Sequence, residues 1–222
     1  MRGMACLDEE QVEQLIRCDC AGCRRRAREG EPPVWNWRRQ VLEAVNRTLR
    51  DLFRTTGVPR TPWRVLQSLQ RHWPANPSLF PDRNTYYTVW VKVTDHLMRY
   101  VVSNREEDPP ILLMEPLSMR VEELGITCSI HVQLAQWSEE GVWIRRFLVD
   151  DHPGVIDSCR YLTALFAKRY WGEKRVNLEV VSLLNGDSRT FCLSDESTRH
   201  LYDYLLLVRE RFFDRHTGYI PC

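Results

Sequence analysis

Between residues 125 and 213 the chain states one pattern twice: strand, turn, strand, then an amphipathic helix. In the first copy Ile126, Cys128, Ile130, Val132 and Leu134 alternate with Thr127, Ser129, His131, Gln133 and Ala135. A period of two turns one side of a strand to a core and the other toward water. Ser138-Glu139-Glu140-Gly141 supplies the turn, and residues 142–149 return as a second strand. A helix follows from Pro153, with Val155, Cys159, Leu162 and Phe166 on one face. The second copy runs over 176–184, turns at Asn185-Gly186-Asp187, returns over 189–193, and ends in a helix carrying Leu201, Leu205, Val208 and Phe212. The pattern predicts a sheet covered by two helices.

The earlier part of the chain reads as mostly helical. A short helix is expected over 7–17, a linker at Glu29-Gly30-Glu31-Pro32-Pro33, and a longer helix over 37–56 with Leu42, Val45, Leu49 and Leu52 on one face. Thr61-Pro62 reads as an N-cap with proline at the first helical position, opening a helix through Trp73. Residues 85–94 and 97–103 alternate in strand fashion and are expected to form a hairpin turning at Asp95-His96. The predicted fold is α+β: a mostly antiparallel sheet of six or seven strands, helices packed on one face, and a helical N-terminal third. Residues 1–31 form a Cys/Arg-rich segment, and residues 32–222 a single domain, helical over 37–73 with sheet and helices over 85–213.

Eight cysteines are unevenly placed. Cys128, Cys159 and Cys192 fall on or beside apolar positions, where a free thiol packs as a small hydrophobe. Cys6, Cys18, Cys20 and Cys23 crowd the start. Four thiolates suit a tetrahedral zinc ion, and flanking arginines favour the deprotonated, metal-binding form. These four are therefore the candidate zinc ligands, set against an unliganded thiol cluster.

Positive charge is concentrated in the same third: residues 1–75 hold fourteen arginines against nine acids. Arg24, Arg25, Arg26 and Arg28 follow the cysteines, and Arg39, Arg47, Arg50 and Arg54 line one helix, with Arg60, Arg64 and Arg71 beyond. Trp35 and Trp37 are interleaved, and aromatic rings beside guanidinium forks are what unpaired bases stack on. The plainer reading is a solvated helix face with pairs such as Glu43–Arg47. Only Lys92, Lys168 and Lys174 are lysines. Arginine-rich codon usage explains that bias, and a lysine-poor surface also suits a viral accessory protein.

No nucleotide-binding glycine loop, zinc-hydrolase helix or nucleophile elbow occurs. Cys159 with His152 and Asp150 or Asp151 is the least unfavourable thiol set, yet Cys159 sits on an apolar stripe. Asp150-Asp151-His152 reads more simply as a helix cap. No run approaches the ~20 apolar residues of a membrane span, and Met1 to Glu10 lacks the apolar core of a secretory signal. The expectation is a non-enzymatic regulatory protein in cytoplasm or nucleus, acting as a protein-interaction platform, with no membrane contact. Its final helix carries apolar residues outside the main stripe (Tyr202, Leu206, Leu207, Phe213), which suit either a helix covered on two sides, by its own sheet and by a partner, or a wide stripe buried under loops. The alternative is an RNA- or DNA-binding protein with a zinc-stabilised basic arm.

Overall fold

Asp8 closes strand β1 (Ala5–Asp8) and opens helix α1 (Glu9–Arg17), its carboxylate accepting the Glu10 backbone N–H at 2.9 Å. The helix expected over 7–17 is thus shorter at its front. Leu7 lies in the strand, fully buried, in register with Cys128. The computed structural model describes residues 5–18, 22, 25, 36–54, 58–104 and 109–213.

Helices α2 (Trp37–Arg54) and α3 (Pro62–His72) form where the spacing places them, and the Thr61 hydroxyl accepts the Arg64 N–H as the cap. The expected hairpin over 85–103 is instead one helix, α4 (Arg83–Ser103), capped by Asp82, which accepts the Thr85 N–H at 2.7 Å. Val89, Val93, Leu97 and Val101 stand one turn apart along it and all are buried. Burial of that stripe overrides the strand preference of its β-branched residues.

The rest is β2 (Leu112–Val121), β3 (Ile126–Ser138), β4 (Gly141–Leu148), α5 (Pro153–Trp171), β5 (Val176–Ser182), β6 (Ser188–Cys192) and α6 (Thr198–Phe213). The fold is α+β around a six-stranded, mostly antiparallel sheet. β3 pairs with β2 along one edge. Along the other edge it pairs first with β1, in parallel from Ile126 to Ser129, and later with β4, antiparallel from Leu134 to Ser138. The two hairpin-plus-helix units are joined through α5, which returns the chain so that β4 and β5 pair in parallel.

Helices cover both faces, not the one face expected. α1, α5 and α6 pack with Ile126, Cys128, Ile130, Ile144, Leu178 and Val180. α2, α3 and α4 pack with Met114, Leu134, Phe147, Val149, Val181 and Leu183. The second layer exists because residues 83–103 are a helix with one apolar stripe to bury. The alternation of β3 also breaks. Ile126 to Val132 face the α5 layer, but Leu134 turns to the α4 layer and Ala135, expected on the watery side, is buried. Its partner β2 switches at the same level, where Met114 takes a left-handed φ of 55°. Among the described residues, no helix is long and apolar enough to cross a membrane.

α4 is tied to the second hairpin at Gly186, whose φ is 78°. A Cβ there would lie 2.8 Å from the His96 ring, which itself contacts the Leu183 carbonyl at 2.8 Å. Gly186→Ala should destabilise by roughly 1–2 kcal/mol from the left-handed backbone alone, with the displaced His96 added. Thermal unfolding checks this; an unchanged midpoint would mean that the turn has neither the left-handed backbone nor the His96 contact.

Candidate functional site

The outer face of α2 carries the arginines that sequence singled out, and the structure divides them. Arg39 pairs with Glu10 at 2.6 Å, tying α2 to α1, and Arg47 pairs with Glu43 one turn away at 2.8 Å. Arg50 and Arg54 are exposed. Trp37 is half-buried, stacked on Phe80 at 5.4 Å between centroids, with the Arg38 guanidinium 4.4 Å above its ring. It is a packing residue and offers no open stacking surface. Arg24, Arg26, Arg28, Trp35, Cys20 and Cys23 lie outside the described residues, and Arg25 is exposed.

Between α2 and α3 the side chains leave an open cavity of about 340 Å³ lined by Asp51, Leu52, Arg54, Arg64, Gln67, Ser68 and Arg71. Helical spacing produces it. Arg64 and Arg71 are seven residues apart, two turns along one stripe, and Arg54 faces them from the neighbouring helix. Asp51 is held in its lining: it accepts the Ser68 hydroxyl at 2.6 Å, contacts His72 Nε2 at 2.9 Å and lies 3.9 Å from Arg71. Burial alone would raise its carboxyl, but the Ser68 and His72 hydrogen bonds and the Arg71 charge hold it below the ordinary carboxylate value. Arg64 donates to the Val58 and Pro59 carbonyls at 3.2 and 3.0 Å, which fixes its guanidinium. Just before it, Trp63 is 63% exposed. Sequence showed the arginines but not the groove, because Asp51, Ser68 and His72 meet only when the two helices pack.

Asp150, expected to cap α5, does something else. It accepts from Arg17 at 2.7 Å and from Arg38 at 2.7 Å, joining α1 and α2 to the end of β4. Burial pushes its carboxyl up, and the two guanidiniums more than reverse that, leaving it below its ordinary value. A carboxyl depressed in the folded state contributes stability above its unfolded value near 3.8 and loses it as pH falls through the lower folded value. Asp150→Asn should therefore cost about 1.5–3 kcal/mol at pH 7, and the gap to wild type should close in strong acid. Denaturant melts at both ends of that range decide it; a gap that persists unchanged in acid rules the pairing out.

A second polar site fills a split in the sheet, where β3 has left β1 and not yet met β4. There Glu9 accepts the His131 backbone N–H at 2.8 Å and the Arg146 guanidinium at 3.0 Å. The Gln133 amide stands in for a missing strand neighbour, accepting the Phe147 N–H at 2.6 Å and donating to the Phe147 carbonyl at 3.4 Å. Glu9, His131, Gln133, Arg146, Ser158 and Cys159 line a cavity of about 50 Å³, room for little more than water. Burial pushes the Cys159 thiol up despite the nearby Arg146 charge, so it stays protonated at neutral pH. His131, not His152, shares its cavity. On the opposite face Arg145 pairs with Glu179 at 3.1 Å, and the Tyr100 hydroxyl donates to the same carboxylate at 2.9 Å. Sequence reading placed this strand but passed over both of its arginines. Their adjacency inside an apolar run was the available signal, since buried arginine demands an acid.

Of the four thiols read as zinc ligands, Cys6 is exposed on β1, beside Asp8 and Ser129, and Cys18 ends α1 against the core. Among the described residues no group of three His, Cys, Asp or Glu is placed to hold a metal ion. Burial pushes the Cys128 thiol up to about 12, as its core position implies. On α6, Leu201 and Leu205 are buried while Leu206 and Leu207 remain exposed, Leu207 at 64%. No protein-family model and no curated protein matches the chain.

Proposed function

We propose that the chain is a non-enzymatic regulatory or accessory protein that works as a protein-interaction platform, with α6 as its principal docking helix. The observation that carries this reading is the two-sided apolar character of α6. One side is spent on the core through Leu201 and Leu205, and Leu206 and Leu207 stand outward beside it. Helices at a solvent surface ordinarily keep a single apolar stripe, and two adjacent exposed leucines beside it suit a contact surface. The five described cysteines outside masked stretches are free thiols, which suits a reducing compartment such as cytoplasm or nucleus.

The test is capture of partners by the full chain from nuclease-treated extract, wild type against Leu206→Asp/Leu207→Asp. Both side chains are exposed, so the variant should unfold like wild type and lose its discrete partner. An identical captured set from both would remove α6 as the docking helix.

One observation favours a second reading, RNA or DNA binding by a zinc-stabilised basic arm. Arg50 and Arg54 stand exposed on α2, and Arg54 also lines the groove with Arg64 and Arg71. Under that reading, affinity for mixed RNA and DNA falls steeply with salt, by about 0.7–0.9 in log–log slope for each phosphate neutralised. A flat response removes it. The arm itself is tested by metal analysis: Cys20→Ser/Cys23→Ser should release about one zinc per chain and leave the remainder folded.

A further inference from the structure

We propose that the groove between α2 and α3 is a recognition site for a phosphorylated serine or threonine side chain of a protein partner. Three arginines, Arg54, Arg64 and Arg71, line it from two helices, with Asp51 as the one carboxylate among the described residues of its lining. That carboxylate is already engaged by Ser68 and His72 and lies near Arg71. Among the described residues the lining therefore carries a net excess of two positive charges over an open cavity of about 340 Å³. A phosphate monoester brings about −1.5 to −2 charge and three strong acceptor oxygens, matching both the charge and the number of forks. A single Asp or Glu carboxylate occupies one fork and leaves one of the two excess positive charges unmatched.

The site is also partly ordered in advance. Arg64 is pinned by the Val58 and Pro59 carbonyls, and Arg71 is drawn toward Asp51. Guanidiniums already held in place lose less freedom when an anion arrives. Gln67 adds a neutral amide to the lining, and the exposed Trp63 beside Arg64 offers an apolar surface to residues flanking the phosphate. A nucleic-acid strand fits less well, because it needs a continuous basic track. On α2 that track is interrupted by Asp51 and by Glu43, which holds Arg47.

The proposal rests on the platform reading in one respect, that the phosphate is carried by a protein. Its test uses the full chain on immobilised peptide libraries that have one central position and randomised flanks. The central residue is phosphoserine, serine or glutamate. Wild type should retain the phosphoserine library at least tenfold over the other two. Arg54→Gln/Arg71→Gln should fall to the serine level while its thermal unfolding stays that of wild type. Arg64 is left intact there because it also braces the 58–59 backbone. Equal retention of all three libraries overturns the proposal, as does undiminished retention by the double variant. Salt-steep binding of single-stranded RNA through Arg54 and Arg71, without phosphoserine preference, assigns the groove to nucleic acid and overturns it too. The α6 capture assay does not involve these arginines. Loss of partner in Leu206→Asp/Leu207→Asp alongside a failed library assay would leave the platform standing and remove the groove alone.

Discussion

Glu9→Ala should lower the unfolding free energy by about 3–5 kcal/mol, the cost of leaving a buried charge unpaired. Arg146 is 8% exposed and donates to Glu9 at 3.0 Å, so Glu9 supplies its counter-charge. Burial opposes the Arg146 charge, and the Glu9 carboxylate more than offsets it, holding the guanidinium above its ordinary value. The same carboxylate closes the backbone of β3 at His131, where no strand does so. Alanine therefore orphans a cation and an N–H together. The double variant Glu9→Ala/Arg146→Met should recover most of the loss, because an apolar side chain in that space needs no partner. Urea unfolding at pH 7 reads both. A loss under about 0.5 kcal/mol for the single variant would mean that water reaches Arg146 and that the split is open.

What sequence disclosed and what it hid follow from how far apart the partners are. The two hairpin-plus-helix units were legible because each is local: Val155, Leu162 and Phe166 sit on one helical face whatever packs on it, and all three are buried. Residues 85–103 were misread because Tyr87, Val89, Val91 and Val93 alternate like a strand, while Val89, Val93, Leu97 and Val101 also fit a helix. Periodicity could not arbitrate, but the chain could have: Asp82 with Thr85 is a cap, and no glycine or proline interrupts 83–103. The ionic contacts were hidden more deeply. Arg38 meets Asp150, and Arg146 meets Glu9, across more than a hundred residues of chain. Nothing local marks such pairs, so arginines that look alike on a helical wheel divide into braces (Arg38, Arg39) and exposed cations (Arg50, Arg54) only after folding.

The layer built by α2, α3 and α4 depends on its contact with the sheet, and Phe147 is where that contact can be tested. Its side chain is fully buried among residues of that layer, edge-on to Tyr100 of α4 at 5.0 Å between centroids. Its own N–H and carbonyl are held by Gln133, so the ring cannot drop into a void without pulling on the split. Relaxation around a deleted ring is therefore small, and Phe147→Ala should cost about 3–5 kcal/mol. For a chain of this size that is roughly 6–20 °C in Tm. Phe147→Leu keeps an apolar side chain against Tyr100 and should cost well under half as much. If residues 83–103 were the hairpin that their alternation suggests, the α4 stripe would be absent and this face of β4 would lie open. Alanine and leucine would then cost the same, within about 1 kcal/mol, and equality of the two variants would overturn the two-sided sheet.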